Sequence, residues 1–350
     1  MSEVVAHERI VEQLPKAETH IHLEGSIRPE TVFDLAAKND VTLPADSVEE
    51  LVASYDFESL DDFIDKFAFI PRILQTAEDF ERVTAELGAD SARQNVPYRE
   101  VAYGYAGYEQ LDVEWETVEA GIAAGRERAR EEHGVELRFI PSIDRTADPD
   151  VGVSIVEHVA DIEEDLGVVG VGLASKENGY PAHDHAAAFR RANELGFNTV
   201  AHAGEDVGPS SVWNALVALD VDRIDHGVRA IEDDILVEYL AQQQVPLTTC
   251  PVSNIELNVY DELSDHPVVE LHERGVFVTV NSDDPPMFHA DLNDNYVRVA
   301  ETFDLSFDDL VALAKNSFEA TFLDDGQKSA YLDRVDEAAE RLRADGFEAS

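Results

Sequence analysis

Residues 168–202 read VVGVGLASKENGYPAHDHAAAFRRANELGFNTVAH. The run VVGVGL at 168–173 is short, apolar and β-rich, as is FNTVAH at 197–202. Between them a loop with Gly179 and Pro181 opens HDHAAAFRRANEL, whose apolar residues have helical spacing. A strand, a crossover helix and a second strand make one parallel unit. The same alternation continues outward in both directions. Further strand candidates are AETHIHL (17–23), YREVAYGY (98–105), VELRFIP (135–141), DRIDHG (222–227), VPLTTC (245–250) and VFVTVN (276–281). Eight strands with helical crossovers predict an α/β fold of the (β/α)8 TIM barrel type. An open doubly wound sheet is the alternative, because pattern does not fix closure. Residues 24–97 are too long for one crossover and are expected to form a helical insertion. Residues 290–350 read as terminal helices, with LSFDDLVALAKNSFEATFL (305–323) strongly amphipathic. No repeat or Gly/Ser hinge divides the chain, so residues 1–350 are expected to form one domain.

The 350 residues carry 26 Lys+Arg against 74 Asp+Glu, a net charge of −48. Such a surface is a poor partner for nucleic acid or anionic membrane. Hydrophobic residues make up 44%, and the acids are dispersed among them, as in DDFIDKFAFIPRIL (61–74). That pattern predicts a folded, carboxylate-rich shell rather than disorder. It suits a cytoplasm of very high salt, where self-repulsion is screened. Cys250 is the only cysteine, which excludes an internal disulfide and fits a reducing compartment. There is no basic segment followed by an apolar core near Met1 and no apolar stretch of 18 residues, so a cytoplasmic location is expected.

Active sites of such barrels lie at the C-terminal ends of the strands. Those ends carry His20 and His22 (strand one), His202 and Glu205 (strand five), His226 (strand six), and Asp283 and Asp284 (strand eight). Alone, each has an ordinary explanation as a strand-end or turn residue. Together they converge on one mouth. Three imidazoles and a carboxylate suit Zn²⁺, which leaves a position for an ionisable water. His20, His22, His202 and Asp283 are the expected ligands, leaving Glu205 and His226 for proton handling. His183 and His185 repeat the H-x-H spacing but open a helix, so both are expected at the surface. His266 is expected to be structural and Cys250 to be a small buried apolar residue.

The motifs THIHLEGSIRPET (19–31), HAGE (202–205), RIDHGVR (223–229), CPVSNI (250–255) and VNSDDP (280–285) resemble the adenosine deaminase family of zinc hydrolases, in order over about residues 14–325. The resemblance implies hydrolytic loss of ammonia from C6 of a 6-aminopurine, with one Zn²⁺ per chain. It implies that Glu205 gives a proton to ring N1, that His226 and Asp283 orient and help deprotonate the metal-bound water, and that Asp284 hydrogen-bonds N7. Adenosine, giving inosine, is the leading substrate expectation, and adenine, giving hypoxanthine, is the alternative. Adenosine-specific members usually have Asp where this chain has Glu24 and Gly where it has Ser175; both residues look more like members acting on free adenine. A zinc amidohydrolase of a non-purine substrate is a further reading, and so is a non-catalytic binding protein. The complete set of chemical groups argues against the last.

Overall fold

The computed structural model describes residues 3–104, 108 and 111–347. Eight parallel strands follow one another in chain order: β1 (Ala17–His22), β2 (Tyr98–Gly104), β3 (Glu136–Asp144), β4 (Gly170–Ala174), β5 (Asn198–Ala203), β6 (Arg223–His226), β7 (Leu247–Thr249) and β8 (Val278–Val280). Each falls on one of the expected runs, β4 and β5 ending one residue beyond theirs. β3 runs past Pro141, where the apolar run had been expected to stop, because Ser142, Ile143 and Asp144 pair with Gly172, Leu173 and Ala174. Tyr105 of the expected second strand and residues 348–350 of the expected terminal helices lie outside the described residues.

Closure is made by backbone bonds between β1 and the residues just beyond β8. The His22 N–H donates to the Asp283 carbonyl at 3.1 Å, and the Asp283 N–H donates to the His20 carbonyl at 3.2 Å. The sheet is therefore a barrel and not an open doubly wound sheet. Its closing seam runs through three of the four expected metal ligands. β1 carries a register shift between Glu18 and Ile21, one residue more than its partner strand. Such irregularities re-aim side chains at barrel rims.

The N-terminal ends of the strands are tied by buried ion pairs, Arg223 to Glu100 at 2.6 Å and Arg99 to Glu18 at 2.9 Å. This end bears on stability, the opposite end on chemistry. Between β1 and β2 lie the helices Pro29–Lys38, Val48–Ala53, Leu60–Phe67 and Ala77–Arg93. After β8 come Leu292–Phe303, Phe307–Glu319 and Asp325–Ala344. The polar-looking lead before β1 forms a helix, Glu3–Gln13, because Ile10 and Val11 are buried against the core. Among the described residues no helix is long and apolar enough to cross a membrane.

Candidate active site

The strand ends open into a cavity of about 460 Å³. His22, Glu24, Ser175, His202, Glu205, His226, Asp283 and Asp284 all line it, and Leu60, Phe63 and Phe67 of the insertion cover it. His20, 2% exposed, lies behind two of these residues, His202 and Asp283. The nine residues singled out from sequence are thus brought to one place. Three of them hold left-handed backbone that L-residues rarely adopt: Ser175 (φ 80°), His226 (φ 62°) and Asp283 (φ 67°). Each costs about 1–3 kcal/mol and persists only because surrounding contacts hold it, an arrangement concentrated at functional sites.

Four of the expected ligand atoms lie side by side. His20 Nε2 lies 3.1 Å from His202 Nε2 and 3.3 Å from Asp283 Oδ1, while His22 Nε2 lies 3.2 Å from each of these same two atoms. Ligands about 2.0–2.1 Å from a tetrahedral ion are separated by roughly 3.3–3.4 Å, and these four separations are close to that; His20, His202 and Asp283 also group with His226, and His22 with Asp283 and Asp284. The donor chemistry agrees. His20 Nδ1 faces the Thr248 carbonyl at 3.0 Å, and His202 Nδ1 faces the Leu173 carbonyl at 3.1 Å. A carbonyl only accepts, so both Nδ1 atoms carry the hydrogen and both Nε2 atoms present bare lone pairs. Ser253 donates to Asp283 Oδ2 at 2.7 Å, leaving Oδ1 for the cluster.

The electrostatics ask for positive charge at this point. Burial opposes protonation of His20 and His22, yet Asp225 and Asp283 raise His20, while Asp284 and Asp283 raise His22 to about 10. Burial also works to raise Asp283, but His20 and His22 hold it well below the usual carboxylate range. Lone pairs and a carboxylate packed this closely are relieved by a cation between them. His226 lies within reach of the same cluster, but its tautomer sets it apart. The Val268 N–H donates to His266 Nδ1 at 3.2 Å, so His266 Nε2–H donates to Asn254 Oδ1 at 3.1 Å. The Asn254 amide nitrogen then faces His226 Nδ1 at 3.4 Å. This leaves the hydrogen of neutral His226 on Nε2, 3.4 Å from Glu205 Oε2 and 3.8 Å from Asp283 Oδ2.

Glu205 and Asp284 are pushed well above the usual carboxylate range, first by burial and then by the acids around them, Asp283 among these in both cases. Glu205 Oε1 is buried with no hydrogen-bond partner. Asp283 is thus pushed down and Asp284 up, which sets two adjacent carboxyls apart, the condition for separate roles.

Residues 15–338 match the adenosine deaminase family. The chain belongs to that family. A protein of Psychrobacter cryohalolentis named adenine deaminase is 37% identical over 329 residues, 94% of this chain and 98% of the relative. The crystal structure of adenine deaminase from Arthrobacter aurescens superposes with a TM-score of 0.90 at 34% identity, covering 93% of this chain and 99% of that one. An amidohydrolase from Burkholderia ambifaria, determined with bound zinc, superposes with a TM-score of 0.88 at 26% identity over 97% of this chain and 95% of its own. The chain is an aminohydrolase of the adenosine deaminase type.

Within this site, the residues not singled out from sequence act from behind. Asp225 lies 3.3 Å from His202 Nδ1, Ser253 and Asn254 hold Asp283 and His226, and Glu177 holds the loop of Glu205. Ser253 and Asn254 fall inside CPVSNI, and Asp225 precedes His226 in RIDHG, so the motifs contained them without revealing their targets. Of the expected bystanders, His183 is exposed, but His185 is 1% exposed and not at the surface. A short 3-10 turn, Ala182–His185, precedes the helix and folds the His185 ring inward, where Nε2 bonds the Arg145 carbonyl at 3.0 Å. His266 and Cys250 are buried, as expected.

Proposed function

We propose that the protein hydrolyses free adenine to hypoxanthine and ammonia. Adenosine stood first from sequence; relatives that match over nearly their whole length and are named adenine deaminase favour the free base. The observation that carries the reading into the site is the tethering of Glu24. Its Oε1 accepts from the Gly104 N–H at 2.9 Å and from the Tyr108 hydroxyl at 2.7 Å. A carboxylate pinned at the cavity wall can accept N9–H from adenine, whereas a nucleoside has a ribose carbon at N9 and no hydrogen to give. Ser175 lines the same cavity.

His20, His22, His202 and Asp283 would hold one zinc ion. Bound there, zinc supplies a nucleophilic water ionised near neutral pH. Glu205, kept protonated by burial, donates from Oε1 to ring N1, which makes C6 electrophilic. Asp284, neutral for the same reason, donates its hydroxyl hydrogen to N7, an acceptor that an ionised carboxylate would repel. His226, with its hydrogen on Nε2, donates toward the carboxylates on that side and steadies charge as water adds and ammonia leaves.

Ammonia release from adenine and adenosine, measured side by side in high salt, tests the reading. Adenine should be preferred in kcat/KM, and Glu24→Asp should shift the ratio toward adenosine by about tenfold. Removal of metal by a chelator should abolish turnover and added zinc restore it. A wild-type preference for adenosine, or a ratio unmoved by Glu24→Asp, would overturn the assignment.

A further inference from the structure

Glu177 leaves β4 in a loop, is 4% exposed, and its carboxylate collects five hydrogens. Oε1 accepts from the Gly204 N–H at 2.6 Å and from the Ser211 hydroxyl. Oε2 accepts from the N–H groups of Glu205 at 3.2 Å, Asp206 at 2.8 Å and Val207 at 2.8 Å. Four successive backbone amides turned toward one point make an anion nest. Here the chain fills the nest with its own side chain. The four amides make no other hydrogen bond among those described, and they belong to the segment that carries Glu205.

We propose that Glu177 is a positioning residue for Glu205: by gathering the amides of residues 204–207 it fixes the loop that aims the Glu205 carboxyl into the cavity. The proposal rests on the reading of Glu205 as proton donor. Charge-assisted bonds to both oxygens make the clamp stiff as well as specific. Its negative charge also faces Glu205 and disfavours ionisation there, adding to the effect of burial. Arg229 holds the carbonyls of Asp206 and Gly204, but the four amides rest on Glu177; misplacement of a reacting group by about 1 Å costs on the order of a hundredfold in rate, so loss of this carboxylate is where such a cost would arise.

Glu177→Gln keeps the shape of the side chain but not its chemistry. Whichever way the amide turns, its NH2 meets at least one backbone N–H, and a donor facing a donor opens the clamp. In that variant kcat for adenine should fall by about ten- to a hundredfold while KM stays within about threefold and bound metal is unchanged. Because Glu177 acts through Glu205, adding Glu177→Gln to Glu205→Gln should slow the single variant by less than about threefold. In Glu177→Ala, formate should refill the nest and restore part of kcat; Glu177→Gln, with the space occupied, should not respond. An inactive Glu205→Gln beside a fully active Glu177→Gln would overturn the proposal while leaving the proton-donor reading intact. So would independent, multiplying losses in the double variant. Near-normal turnover in Glu205→Gln would instead remove the proton-donor reading itself. Should the Gln and Ala variants fail to fold, Glu177→Asp carries the test: it keeps the charge but shortens the reach, and an unchanged kcat would overturn the proposal.

Discussion

Gly25 follows Glu24 at the start of a 3-10 turn, and a Cβ there would lie 1.5 Å from Asp284 Oδ1 and 2.7 Å from Asp284 Cβ. No rotation of Asp284 frees that space, since its own Cβ is in the way. The absence of a side chain at residue 25 is therefore what leaves room for Asp284 where it lines the cavity. Gly25→Ala should lower kcat/KM for adenine by tenfold or more, about 1.4 kcal/mol or above, with KM rising and bound metal retained. Steady-state kinetics with metal analysis would check this, and an unimpaired variant would show that Asp284 has no part in binding. The example marks where sequence stops informing the site. His20, His22, His202, Glu205, His226 and Asp283 were legible because their chemistry is intrinsic to their side chains and strand ends gather them. Gly25, Glu177 and Asn254 act only through contacts with Asp284, with residues 204–207 and with His226, and such pairings are invisible until the chain is folded.

At the scale of elements, strands such as VVGVGL (168–173) and VFVTVN (276–281) were legible because strands covered on both faces read as near-continuous apolar runs, while AETHIHL and DRIDHG stood out only as short runs recurring between helical stretches. Their packing partners were less so. The helices Ala77–Arg93 and Trp115–His133 approach closely through small residues: a Cβ at Gly125 would lie 2.4 Å from Thr84 Cβ and 2.7 Å from the Glu81 carbonyl, and one at Gly88 would lie 2.3 Å from Ala129 Cβ. Backbone lies on the far side of the contact, so the helices must separate to admit even a methyl group. Alanine for glycine inside a helix normally gains about 1 kcal/mol. Here the overpacking term, about 1–3 kcal/mol and more where backbone must move, opposes and exceeds it. Gly125→Ala should lower the melting temperature while leaving kcat and KM for adenine near wild type, because this contact lies on the outer layer and not among the residues lining the cavity. A stabilised variant would show that the two helices separate at little cost. From sequence, Gly88, Gly121 and Gly125 look like weaknesses in a helix; only the neighbouring helix explains them.

At the scale of the whole molecule, 74 acidic against 26 basic side chains make self-repulsion a term of the folding balance. Paired surface charges relieve little of it, since exposed ion pairs contribute about 0–1 kcal/mol each. Screening relieves more: the distance over which exposed charges interact falls from about 10 Å at 0.1 M to about 3 Å at 1 M ionic strength. The melting temperature should therefore climb steeply as potassium chloride is raised from about 0.1 M toward 1 M, and sodium chloride should act alike if screening is the cause. Salt also strengthens apolar burial in general, so a second arm is needed to separate the two effects. The helix Asp325–Ala344 exposes Asp333, Glu337 and Glu340 far along the chain from the catalytic strand ends. Replacing these three by lysine removes repulsion without touching the core. The variant should melt at a higher temperature than wild type in low salt, converge with it in high salt, and deaminate adenine at an unchanged rate. If screening were not the stabilising term, the variant would gain nothing at low salt and the two melting curves would run parallel across the whole salt range.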